Sequence, residues 1–154
     1  MNIYHGSAYN HNKLQPGFNH SKILVKWDTV ENNKWLYGTT DKNQAILLGL
    51  ASSIEKKYDI KEFHNSGAHI KIVSYNKVLP KIDLKDITVY LYTCEKNGDW
   101  VKNNNQYNKI DTEYKTQKTI TPLTIEIIDI DAWMVEHRYT LELVYPNKPG
   151  SSGW

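Results

Sequence analysis

Apolar positions fall in short runs separated by long polar, Asn- and Lys-rich stretches, and one segment keeps a helical period. That segment is "TDKNQAILLGLASSIEKKY", residues 40–58. Asp41 stands where an N-cap is needed and Gln44 follows three residues later, the pattern of a capping box. Ala45, Leu48, Ala51 and Ile54 make an apolar stripe, and the lysines near the end suit the negative end of the helix dipole. Most of the rest predicts strands. "NIYHG" is a short first strand and "NKWLYGTT" runs into the helix; "KILVKW" reads as a strand or a stiff loop. After the helix, "AHIKIVSY" and "TEYKTQKTI" alternate, "DITVYLYTC" is rich in β-formers, and "LTIEIIDI" and "HRYTLELVY" add two more strands. "SAYNHNKLQPGFNHS" and "KNGDW" carry turn signals, and "VKNNNQYNKID" is a long Asn-rich loop.

One principal helix after the second or third strand, followed by a series of strands, predicts an α+β fold. Its strands would be mostly antiparallel, in two packed sheets or a split sheet with the helix across one of them. No internal repeat or linker divides the chain, so residues 1–146 are expected to form one domain. The Pro-, Gly- and Ser-rich residues 147–154 read as a loose tail or an appended remnant.

Composition narrows the function classes. With 154 residues, 40% hydrophobic and 23% charged, the chain reads as globular. "AILLGLA" is far too short for a membrane span, and the N-terminus does not read as a signal peptide, so a cytoplasmic protein without a membrane partner is expected. A formal net charge of +2, with lysines scattered along the chain, does not mark a nucleic-acid binder. Cys94 is the only cysteine, which rules out an internal disulfide and a cysteine-based zinc site; it reads as a small buried hydrophobe in a strand. His11 and His20 flank the Pro16–Gly17 turn without a third ligand at suitable spacing, so no metal is expected. Trp27, Trp35, Trp100 and Trp133 read most simply as core or edge aromatics; the alternative for Trp100, beside the Asn-rich loop, is contact with a partner.

Three short segments carry chemistry. "YHGS", residues 4–7, sets a histidine before a glycine at the end of a strand. "LYGTTDKNQA", residues 36–45, sets a tyrosine shortly before the helix. "TEYKTQKTITP", residues 112–122, sets a glutamate at the start of a late strand, after a variable loop. In order and context these resemble the three motifs of the ADP-ribosyltransferase fold in its His-Tyr-Glu branch, the branch of diphtheria-type toxins and poly(ADP-ribose) polymerases. The sister branch needs an arginine on its first strand. Arg138, the only arginine, lies far from there, so the resemblance is to the His-Tyr-Glu branch alone.

The resemblance implies an NAD-consuming transferase on an ADP-ribosyltransferase-like fold. His5 would hydrogen-bond the ribose of the nicotinamide half. Gly6, lacking a Cβ, would offer its backbone to the nicotinamide amide, with Ser7 adding a hydroxyl. Tyr37 would stack on the nicotinamide ring, and Thr39 belongs to the same expected cofactor set. Glu113 would be the catalytic carboxylate, stabilising the oxocarbenium-like transition state as nicotinamide leaves. The helix position where many members carry a second stacking tyrosine falls near Leu48, with Tyr58 further along. The acceptor of ADP-ribose is expected to be a macromolecule, a protein rather than a nucleic acid, contacted through loop 102–111; a phage or bacterial effector would fit. The alternative expectation is an inactive module on the same fold that binds a nucleotide or a protein.

Overall fold

The computed structural model describes residues 1–17, 35–58, 60, 62–73, 82–103 and 112–144. The segment "KILVKW", His20, Trp27, most of loop 102–111 and the tail lie outside the described residues. The described chain is an α+β fold with two α-helices and strands in two sheets, as the alternation and the single helical period predict.

The larger sheet holds β1 (Asn2–Ser7), β2 (Leu36–Thr39), β5 (Val89–Glu95), β6 (Val101–Lys102), β7 (Glu113–Thr116) and β8 (Thr124–Ile128). Their order across the sheet is β6-β7-β2-β1-β5-β8, and every neighbouring pair is antiparallel. The smaller sheet, β3 (Glu62–Ser66), β4 (His69–Val73) and β9 (Thr140–Val144), is mixed: β3 and β4 form an antiparallel hairpin and β9 adds parallel to β4. β3 was not foreseen, because "EFHNS" carries little β-forming character of its own. The two-residue turn Gly67–Ala68 creates it, with Gly67 at φ 57° as a primed hairpin turn requires. His69 starts the strand predicted from "AHIKIVSY", and His64 sits on the strand paired with it. His64 Nε2 lies 3.0 Å from Glu62 Oε1 and His69 Nε2 lies 2.8 Å from Glu142 Oε2, both on the exposed face of this sheet.

Helix α1 (Lys42–Tyr58) crosses one face of the larger sheet, over β1 and β5. Asp41 caps it: one carboxylate oxygen accepts from the backbone N–H of Asn43 and of Gln44, at 3.0 and 3.2 Å. The apolar surface of α1 is wider than the predicted stripe. Ile46, Leu47 and Leu50 are buried as well as Ala45, Ala51 and Ile54, whereas Leu48 is only half-buried. The physical reason is that α1 is covered on more than one side. Its apolar residues join Val89 and Leu91 of β5, Ile70 and Ile72 of β4, and Trp133 in one core.

Trp133 belongs to α2 (Ile130–Glu136), a second helix on the stretch between the predicted strands "LTIEIIDI" and "HRYTLELVY", for which the sequence pattern predicts no element. Asp129 caps it by accepting from Ala132 N at 3.1 Å, and Trp133 Nε1 donates to Asn43 Oδ1 at 3.3 Å, which docks α2 against the start of α1.

The far face of the larger sheet has its own cluster, in which Ile3, Leu36, Tyr92, Cys94 and Trp100 pack under Leu14 and Ile120. Leu14 and Ile120 exchange backbone hydrogen bonds of 2.9 Å, holding the loop after β1 over this face. The Tyr92 hydroxyl pins the same loop, donating to Tyr9 O at 2.6 Å and accepting from His11 N at 2.7 Å. Trp100 is buried here, a core aromatic as its simplest reading has it, and the alternative of contact with a partner is not met. No helix among the described residues is long and apolar enough to cross a membrane.

Candidate functional site

The three motif strands, far apart in sequence, are consecutive in space: β1, β2 and β7 lie side by side. Which face each side chain takes follows from register and the two-residue period of a strand. A Cβ on Gly38 would come within 2.4 Å of Ile3 Cγ2, so Gly38 points into the far-face cluster. Its neighbours Tyr37 and Thr39 therefore point to the α1 face. Thr39 pairs with Glu113 and Tyr37 with Lys115, so Glu113 shares that face.

Register extends this into a polar row. Asn103 pairs with Glu113 through a backbone bond of 3.0 Å, Glu113 with Thr39, Thr39 with Tyr4, Tyr4 with Thr93, and Thr93 with Thr124. Every position in the row carries a hydroxyl, amide or carboxylate. Strands are roughly 4.8 Å apart, so the row spans about 24 Å of the α1 face.

Its centre is at the β2-to-α1 junction. Thr39 is 2% exposed, and its hydroxyl accepts from Asp41 N at 3.0 Å, fixing the turn into α1. Thr40 N donates to Thr112 O at 2.9 Å, which fastens the start of β7 beside the start of the helix. Glu113 is half-buried, and its Oε2 accepts from the amide of Asn103 at 3.2 Å. Asn103 is 5% exposed, so this amide holds the carboxylate from a fixed position. Lys115, two residues on along the same face, sets its ammonium 4.3 Å from the centre of the Trp35 ring. This is a cation–π contact, with the positive charge drawn to the negative ring face.

The histidine motif goes elsewhere. His5 follows Ile3 onto the far face, with its ring 6.0 Å from that of Tyr92. Its Nδ1 lies 2.7 Å from the Tyr37 carbonyl oxygen. A carbonyl only accepts, so Nδ1 carries a proton and donates it to this bond. The expectation that His5 and Glu113 line one pocket is not met, because a period of two sends them to opposite faces. His5 joins β1 to β2 instead. Gly6 points to the α1 face, where a Cβ would stand 1.9 Å from the Ala45 carbonyl oxygen; its missing side chain is used by the helix. Ser7 is buried, and its hydroxyl accepts from Tyr9 N at 3.0 Å, starting the turn after β1.

Of the six expected residues, the α1 face therefore gathers the side chains of Tyr37, Thr39 and Glu113, while Gly6 faces the same way beneath the helix. Tyr4, Asn103, Thr93 and Thr124 join Thr39 and Glu113 in the row without having been anticipated. Their signal is strand register, which a single sequence does not display. No group of His, Cys, Asp and Glu among the described residues is arranged to hold a metal ion. No family model, no curated protein and no solved structure matches the chain.

Proposed function

We propose that this protein is an ADP-ribosyltransferase-like enzyme that cleaves the nicotinamide–ribose bond of NAD at the Tyr37–Thr39–Glu113 face and passes ADP-ribose to a macromolecular acceptor. One observation carries the reading: the tyrosine, threonine and glutamate of two distant motifs share one face on directly paired strands, where β2 turns into α1. Tyr37 offers a ring for the nicotinamide. Glu113, held by Asn103, sets a carboxylate where positive charge develops on the ribose as nicotinamide departs, and the partly dry setting strengthens that interaction. His5 is a positioning residue in this account, since it acts on the site through the Tyr37 carbonyl.

The test is calorimetric titration with NAD followed by measurement of nicotinamide release. Binding with release is expected. Glu113→Gln is expected to slow release about 100-fold or more while changing NAD affinity about threefold or less, because a transition-state interaction lowers turnover rather than binding. No heat of binding and no release would end the proposal.

A second reading, a module that binds a nucleotide without transfer, is favoured by one observation: His5 and Glu113 face opposite sides of the sheet. Binding of NAD with no nicotinamide released by wild type would select it.

A further inference from the structure

β8 forms one edge of the larger sheet, paired through its inner side to β5, with no further described strand on its outer side. An edge strand presents a row of backbone N–H and C=O groups to any chain that can pair with it. Such edges are ordinarily blunted by charged residues, lysine above all, by proline or by a bulge. "TIEII" has no lysine or proline, its one charge, Glu126, has Lys42 beside it, and its register with β5 is unbroken from Thr93–Thr124 to Val89–Ile128. Leu123, Ile125 and Ile127 are 60%, 38% and 69% exposed. Ile125 pairs with Tyr92 and Ile127 with Tyr90, so by alternation all three side chains line the far face along the edge. Glu126 points to the α1 face, with Lys42 Nζ 3.8 Å from its carboxylate.

We infer that β8 is a self-association edge: two copies pair β8 to β8, antiparallel about a two-fold axis at Ile125, and merge their large sheets into one. The side chains select this register. With Ile125 opposite itself, Leu123 meets Ile127 of the second copy on the far face, and Thr124 meets Glu126 on the α1 face. Apolar then meets apolar, and each carboxylate meets a hydroxyl while keeping its own lysine. A one-residue slip sets isoleucine against glutamate. Centring on Glu126 opposes two like charges, which is destabilising. The strand is thus complementary to itself in one register, which favours a second copy over a foreign peptide. The inference is independent of the proposed chemistry, since Glu113 lies towards the opposite edge.

Sedimentation velocity over a concentration series tests it on the full chain. A monomer–dimer equilibrium is expected for wild type. Ile127→Lys and Ile125→Lys, each at an exposed position, are expected to raise the dimer dissociation constant about tenfold or more, a change of about 1.4 kcal/mol. Val135→Lys, at an exposed residue of α2 outside the strand, should leave it unchanged. Ile125→Cys should form a disulfide-linked dimer on mild oxidation, because directly opposed residues fall within bridging distance, whereas Leu123→Cys should not. A wild type that stays monomeric throughout, a dimer indifferent to both lysine variants, or cross-linking by Leu123→Cys in place of Ile125→Cys would each overturn the proposal.

Discussion

Single residues explain why the N-terminal motif reads one way in sequence and another in space. "YHGS" has the composition of a ligand loop, yet each of its last three residues serves the fold. His5 holds the Tyr37 carbonyl, Gly6 admits α1, and Ser7 starts a turn. Gly6 is the sharpest test. With the Ala45 carbonyl oxygen 1.9 Å and Gly49 N 2.9 Å from where a Cβ would stand, neither obstacle is a flexible side-chain end. Gly6→Ala must push α1 off β1, and a loss of about 3 kcal/mol or more is expected in urea denaturation, at the upper end of overpacking effects. A loss below 1 kcal/mol would mean that the helix is not seated there as described. Gly49 complements it from the helix side, where an added Cβ would meet Val89 Cγ1 at 2.7 Å.

At the scale of elements, what was legible depended on whether the signal was local. The start of α1 was readable because an N-cap is a contiguous pattern, and the Asp41 carboxylate does accept from Asn43 N and Gln44 N, although Asp41 N donates to the Thr39 hydroxyl where a capping box would use Gln44. β1, β2, β5 and β8 were readable from alternation or β-rich composition. α2 was not, since "IDAWMVE" is short and lies between strong strand formers; its stability comes from Trp133 docking on Asn43 and stacking on Tyr139, at 4.8 Å between ring centres. Of "TEYKTQKTI" only Glu113–Thr116 is strand, because Lys118 N donates to Thr116 Oγ1 at 3.1 Å and turns the chain. The end of α2 carries a testable cost. Arg138, directly after the C-cap His137, has φ 58°, a left-handed conformation that glycine adopts freely and other residues do not. Arg138→Gly is expected to stabilise the protein by about 0.5–1 kcal/mol, read as a higher urea midpoint. A lower midpoint would show that the arginine side chain outweighs the backbone cost.

For the whole molecule, the decisive information was register, which sets the face of every strand residue and was the part that the sequence did not reveal. One consequence is measurable through pH. Cys94 lies in the far-face cluster between the first motif and the loop that covers it, and burial pushes its thiol up to about 12 from 9.0. Burial likewise raises the Tyr92 phenol, a shift that the hydrogen bond from His11 N partly opposes. Both groups fold in their protonated forms, so the unfolded chain releases its protons first as pH rises. Stability should therefore be unaffected by these groups below pH 9.0 and fall from there towards about 12. Cys94→Ala should flatten the part of that fall due to the thiol, measured as urea midpoints against pH. An alkaline decline unchanged in Cys94→Ala would show that the thiol is not held in the dry cluster. For the same reason a thiol reagent should react in the native state only as fast as β1 and its covering loop open.

The strand order has a further consequence during synthesis. β1 lies between β2 and β5, and α1, which covers both β1 and β5, has only the β1–β2 pair beneath it until Val89–Glu95 exists. A ribosome adding about 5–20 residues per second leaves the part of α1 that packs on Val89 and Leu91 uncovered for several seconds. β7, which brings Glu113 beside Thr39, arrives later still, and β9 completes the small sheet only after that. Cells making this protein must shield a half-built core in that interval, so its yield should depend on holdase chaperones and improve when translation of the segment between α1 and β5 is fast.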